Sequence, residues 1–152
     1  MSKFRSILAV ALAFVMVMFV AFTHPADAKP KKAQAQTYAA EQIAKIQAYA
    51  SDIQAMRDRF PELQSLIEQE DYIFARNFIH GPLGELRFKM LTVARDLFPD
   101  ARKTAEEASK DVFKALNALD RAGIDKDYRA AARAYTNLNK ALDSFFSVVP
   151  QG

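Results

Sequence analysis

The sequence predicts an all-α fold, an antiparallel four-helix up-and-down bundle with a flexible N-terminal arm. Three observations carry that expectation. Apolar residues recur at intervals of three and four through several long segments, the spacing that gathers side chains on one helix face. No segment alternates apolar and polar residues for long enough to make a strand. The connections between the last three segments are short, which forces consecutive helices to lie antiparallel. The chain has 152 residues, the length of a single domain. Its composition, 51% hydrophobic and 26% charged, is too apolar for a disordered chain.

The N-terminus reads as an export signal over residues 1–28. Lys3 and Arg5 form a positive start, Ile7 to Phe22 an uninterrupted apolar run, and Ala26-Asp27-Ala28 a small-residue cleavage site. A retained membrane anchor is the competing reading, but the run is shorter than the ~20 residues of a usual span and the cleavage site follows directly. Residues 29–36, Lys29-Pro30-Lys31-Lys32-Ala33-Gln34-Ala35-Gln36, are basic and non-periodic. They read as a flexible arm that either contacts a partner or serves as a spacer for signal cleavage. Removing the signal takes two cations and one anion, so the mature charge stays close to the +3 of the whole chain. So small an excess excludes nucleic-acid binding, which needs a concentrated basic face. The mature protein is expected outside the cytoplasm, in a periplasm-like or lumenal space.

The bundle is expected over residues 37–150, with helices at about 37–59, 72–97, 100–122 and 126–149. In the first, Ile43, Ile46, Ala50 and Ile53 share a face and Thr37 is the expected N-cap. Phe60-Pro61 ends it, because proline lacks an amide donor and disfavours helix at its predecessor. The stretch Glu62–Glu70 is expected to be a connector with a turn or two of helix. Asp71 should cap the second helix, whose Tyr72, Ile79, Leu83, Leu86, Met90, Val93 and Leu97 form its apolar stripe. His80-Gly81-Pro82 interrupts that helix and predicts a kink, in preference to a fresh start at Pro82. Asp100 is the expected cap of the third helix, which presents Ala105, Ala108, Val112, Leu116 and Leu119. Gly123 should end it in a left-handed conformation, with Ile124 folding back on Leu119. Asp125 is the expected cap of the fourth, where Tyr128, Ala131, Tyr135, Leu138, Leu142, Phe145 and Val149 keep an unbroken three-four rhythm up to Pro150.

Helix bundles often house metals or haem, but the required residues are missing. With no cysteine there is no disulfide, thiolate site or covalent haem attachment. A di-iron site needs Glu-x-x-His pairs, yet Asn77 stands three residues before His80, the one imidazole left after signal removal. A single histidine beside Gly-Pro reads as a hydrogen-bonding or contact residue. The acidic groups Glu106-Glu107 and Glu68, Glu70 and Asp71 read as solvated charge, since adjacent helical positions diverge. Ser51, Ser65, Ser109, Ser144 and Ser147 have no histidine-and-acid set to activate them. No catalytic residue, cofactor site or metal site is assigned. Phe145 and Phe146 read as core, with an exposed aromatic edge as the alternative. Arg57, Arg59, Arg87, Arg129 and Arg133 are candidates for contacting an acidic surface. Two rival functions fit such a bundle: an exported chaperone or adaptor with an apolar groove, and a haem or metal carrier using His80 with Met56 or Met90.

Several blocks go further. They are Ile79-His80-Gly81-Pro82-Leu83 with Leu86-Arg87 and Met90, then Leu97-Phe98-Pro99, Ala118-Leu119-Asp120-Arg121-Ala122, and Leu142-Asp143-Ser144-Phe145-Phe146-Ser147-Val148-Val149-Pro150. Together they resemble the PsbQ family in its cyanobacterial form, over nearly all of the mature chain. The resemblance implies a non-catalytic, extrinsic subunit on the lumenal side of the thylakoid membrane. It would dock on the lumenal face of photosystem II near PsbO and the core antenna subunit PsbB. There it would stabilise the manganese–calcium cluster of the oxygen-evolving complex and help retain calcium and chloride. Many cyanobacterial relatives carry a lipid-anchored cysteine after the signal; this chain has none, so attachment is expected to rest on protein–protein contacts without a lipid anchor. The family also often has Trp where Tyr72 stands here. Partner contact is expected at His80, Gly81, Pro82 and Arg87, because a helix interruption that the fold does not demand needs another reason.

Overall fold

The computed structural model describes residues 37–151. The chain divides into two units, Met1–Ala35 and Gln36–Gly152, and the described residues all belong to the second. The expected signal over 1–28 and arm over 29–36 therefore lie outside the described residues.

Every regular element among the described residues is an α-helix: α1 (Ala40–Arg57), α2 (Phe60–Glu68), α3 (Tyr72–His80), α4 (Leu86–Asp96), α5 (Pro99–Asp125) and α6 (Tyr128–Phe146). They form an all-α bundle of four rods. The first rod is α1 followed by α2, the second α3 followed by α4, and α5 and α6 make the other two. Named contacts fix the antiparallel sense. Along the first two rods, Lys45 pairs with Asp96 at 2.9 Å and Lys89 with Asp52 at 2.7 Å, while Arg59 lies over the Phe78 ring at 5.0 Å. Along the first and last, Gln47 donates to the Pro150 carbonyl, Arg57 pairs with Asp143, and Tyr135 donates to the Phe60 carbonyl at 3.3 Å. The predicted stripes supply most of one continuous core, although Tyr128, at the start of the fourth stripe, is 44% exposed and Ile43 and Tyr135 are half-buried. Ile46, Ile53, Leu63, Leu86, Met90, Val93, Leu97, Val112, Leu119, Leu138, Leu142 and Phe145 are all essentially inaccessible to solvent. Each such side chain stabilises the fold by about 1.5–3 kcal/mol through removal of apolar surface from water.

Several boundaries differ from expectation, each for a local reason. Ala39 rather than Thr37 occupies the N-cap of α1, without a side-chain cap. The first helix ends at Arg57, just ahead of Phe60-Pro61, but the chain restarts at once. Pro61 sits in the first turn of α2, where its missing N–H costs nothing, and Phe60, Leu63 and Ile67 carry α2 into the core. The segment expected as a connector is thus a structural element. Asp71 caps α3 as expected, accepting from Phe74 N at 3.3 Å. Phe98, not Asp100, is the N-cap of α5, and its amide donates to the Tyr38 hydroxyl at 3.1 Å beneath a stacked Tyr38–Phe98 ring pair. Likewise Asp127, not Asp125, caps α6 by accepting from Ala130 N at 2.9 Å, while Asp125 pairs with Arg121.

The end of α5 departs furthest. The helix runs past Gly123 to Asp125, and Lys126 takes the left-handed conformation at φ 53°. Asp127 N then reaches back to the Ala122 carbonyl at 2.9 Å, the closing bond of a Schellman stop. Gly123 serves packing instead. A Cβ there would stand 3.0 and 3.1 Å from the Cγ and Cδ of Arg76, so glycine lets α3 approach α5 closely. Ile124 does not fold back on Leu119; it is half exposed.

Two substitutions separate these roles. Lys126→Gly should stabilise the fold by about 1 kcal/mol, because glycine takes the left-handed conformation without Cβ strain. Gly123→Leu should destabilise it by about 1–3 kcal/mol through overpacking against Arg76. Urea unfolding midpoints check both; the reverse order would mean that Gly123 carries the helix stop.

Candidate docking site

The residues expected to meet a partner surround the turn between α3 and α4, and the chemistry of Gly and Pro builds that turn. Gly81 N donates to the Asn77 carbonyl at 2.8 Å, closing the last turn of α3. Pro82 has no N–H with which to continue the ladder. Leu83 N reaches the Phe78 carbonyl at 3.3 Å instead, and Gly84 N and Leu86 N then bond to Gly81 and Leu83 carbonyls at 3.0 Å each. The helix therefore stops at His80 and starts again at Leu86. This is neither the expected kink nor a restart at Pro82. Backbone is crowded throughout the turn: a Cβ on Gly84 would lie 2.9 Å from the His80 carbonyl oxygen, and one on Gly81 3.0 Å from that of Asn77. Gly84 was not singled out from the sequence, although the Gly-Pro-Leu-Gly run contains it.

His80 is largely exposed, yet its ring is held. Its Nε2 lies 2.8 Å from Oδ1 of Asp120 on α5, and Arg76 Nε donates to the same oxygen at 3.0 Å. Burial pushes the Asp120 carboxyl upward. The hydrogen bonds and positive charge of Arg76 and His80 outweigh that, so its pKa sits below the ordinary carboxylate value. Arg87 reaches α5 separately, with its guanidinium 4.7 Å over the Phe113 ring. Asp120 and Phe113 are seven residues apart on α5, about 10 Å along its axis. The structure thus places His80 and Arg87 on either side of the turn without bringing them into one cluster. Pro82 faces another way, into an open groove formed with Leu66, Phe74 and Phe78 and rimmed by Arg59 and Glu62.

Phe145 and Phe146 pack with the core, as their sequence reading expects, and the exposed aromatic surface lies elsewhere. Phe145 is buried and Phe146 half-buried, whereas Ile73, Phe74, Phe88, Leu91, Ile124 and Tyr128 are open to solvent. Ile73, Phe74 and Phe88 stand off the three-four rhythm, and that was the signal available in the sequence. Among the arginines considered, Arg57 and Arg59 are committed to Asp143 and Glu62. Among the described residues, no three His, Cys, Asp or Glu side chains come together as metal ligands. Haem ligation by His80 and Met90 meets a geometric obstacle, since the His80 side chain is 65% exposed and Met90 is 0% exposed within the core.

The Asp120 cluster makes a pH prediction. A carboxyl whose folded pKa is lowered stabilises the fold above its unfolded value, near 3.8, and that stabilisation is lost as pH falls through the lower folded value. Asp120→Asn should therefore melt below the wild type at neutral pH, with the gap closing under acid. Thermal melts across that range check it; a gap independent of pH would remove the carboxylate charge from the account.

Residues 5–150 match the PsbQ family model, described as oxygen evolving enhancer protein 3. CyanoQ of a Synechocystis species is 35% identical over 152 residues, covering 99% of this chain and 99% of that protein. A match along almost the whole length, together with a relative aligned end to end, means that the chain belongs to the PsbQ family.

Proposed function

We propose that this chain, an extrinsic photosystem II subunit by its family, stabilises the manganese–calcium cluster of the oxygen-evolving complex and helps retain calcium and chloride. It acts without catalysis, as a rigid body that covers lumenal surface and slows ion loss without ligating the ions. Its partners on this reading are PsbO and the core antenna subunit PsbB. Contact is made around His80, Gly81, Pro82 and Arg87.

The observation that carries the reading is where the polar groups are spent. Asp71 and Asp127 cap helices, and Asp52, Asp96, Asp120 and Asp143 tie one rod to another. These groups stiffen a body instead of converging on a substrate. A peripheral position on the lumenal side agrees with the described helices, none of which is long and apolar enough to cross a membrane.

Adding the purified protein to membranes stripped of extrinsic subunits should raise oxygen evolution when calcium and chloride are scarce and change little when both are abundant. Unchanged evolution at low calcium and chloride would overturn the proposal.

A further inference from the structure

We infer that the outward face of α4 is a docking surface for an acidic protein partner, with Phe88 and Leu91 as apolar contacts and Arg87 and Arg95 as charge contacts. The inference rests on the photosystem II reading for where that partner resides, and on the following geometry for the surface itself.

At 100° per residue, Arg87, Phe88, Leu91 and Arg95 fall on one side of α4, and all four are exposed. The helix buries its opposite side, Leu86, Met90, Val93 and Ala94, in the core. Its carboxylate Asp96 pairs with Lys45 of α1 at 2.9 Å, and Glu85, the exposed residue at its N-cap, lies 3.5 Å from Lys89. Neither Arg87 nor Arg95 pairs with a carboxylate among the described residues. Arg95 bonds only to the Leu91 carbonyl and the Thr92 hydroxyl, at 3.3 and 3.2 Å. Arg102, at the start of α5, adds another cation by donating to the Arg95 carbonyl at 2.7 Å. The carboxylate on the adjoining α5 stripe is Glu106, one turn beyond Arg102, so the surface keeps a positive excess.

Phe88 is 60% exposed, an unfavourable placement for a large ring unless something covers it. The ring is not loose: it meets Tyr49 edge-on at 6.4 Å, as Arg87 rests over Phe113. Both contacts are held in place before a partner arrives, which lowers the ordering cost of docking. Arginine beside an exposed aromatic is the combination that dominates protein interfaces, and a guanidinium grips a carboxylate through two parallel N–H bonds. Two apolar side chains are too few for a bilayer-surface helix, whose whole apolar face must enter the lipid. Arg129 and Arg133 on α6 are also without carboxylate partners among the described residues. Arg129 neighbours the exposed Tyr128, but Arg133 has no exposed large apolar residue within four positions, so the pair serves as a charge-matched control.

The test is binding of the full chain to photosystem II membranes stripped of extrinsic subunits, followed by sedimentation, with helicity checked by circular dichroism. Arg87→Glu/Arg95→Glu should bind about tenfold more weakly or worse, as for opposed charges across an interface. Phe88→Ala should weaken binding several-fold, while Arg129→Glu/Arg133→Glu, with the same charge change, should stay near wild type. Equal binding by the α4 variant, or equal loss in the α6 control, overturns the inference alone. Face-dependent binding of the wild type to vesicles of phosphatidylglycerol in phosphatidylcholine would overturn the protein partner in favour of a lipid. Wild-type protein that fails to bind the membranes would overturn the photosystem II reading and the inference with it.

Discussion

Two of the four rods are broken by their own sequence, and the intact α5–α6 hairpin holds the pieces in line. Arg57 and Phe60 flank one break, His80 and Leu86 the other. Helices as short as α2 and α3, nine residues each, are marginal in water and persist because tertiary packing holds them. Helices α3 and α4 both lean on α5, and α2 leans on α6. The register is then locked from outside the core by ion pairs that join rods, among them Arg76 with Asp120 and Lys89 with Asp52. Loss of the hairpin would leave α1 and α4 only each other, and α2 and α3 only each other, to pack against.

The interruption at Gly81-Pro82 has a consequence for the surface. A continuous helix through this region would carry its apolar stripe at constant phase. The stop at His80 and restart at Leu86 lets α3 and α4 orient separately while Leu83 and Leu86 stay buried. Phe74 on α3 and Phe88 on α4 are left facing solvent. One break in the backbone ladder thus links the crowded turn, the Asp120 cluster that braces His80, and the exposed arginine–aromatic face beyond it. Docking is proposed around this turn and, by further inference, on the outward side of α4.

Much of the fold was legible in the sequence because the core stripes obey helical spacing. Every residue of the predicted α5 stripe from Ala105 to Leu119 is buried, as are Tyr72, Ile79, Leu83, Leu86, Met90, Val93 and Leu97 in the second rod. The helix ends were less legible. Asp100 and Asp125 look like caps by type, but Phe98 and Asp127 hold those positions because long-range contact with Tyr38 and the left-handed Lys126 set where each helix begins. Gly123 has the residue type of a helix stop, and only the position of Arg76 on another helix reveals its packing role. Of the site, the Gly-Pro interruption was readable and the separation of His80 from Arg87 was not, since it depends on which α5 residue each side chain reaches. The apolar part of the α4 face went unread because Phe88 lies off the rhythm by which apolar residues were sought.

A helical body whose aspartates cap its helices and tie its rods together works, on the proposed function, by sitting on photosystem II. The most direct measurement is affinity purification from the organism's own membranes through a tag on this chain. Photosystem II core subunits and oxygen-evolving activity should come away with the tag. Recovery of the tagged protein alone, with photosystem II left behind in the membranes, would contradict that function.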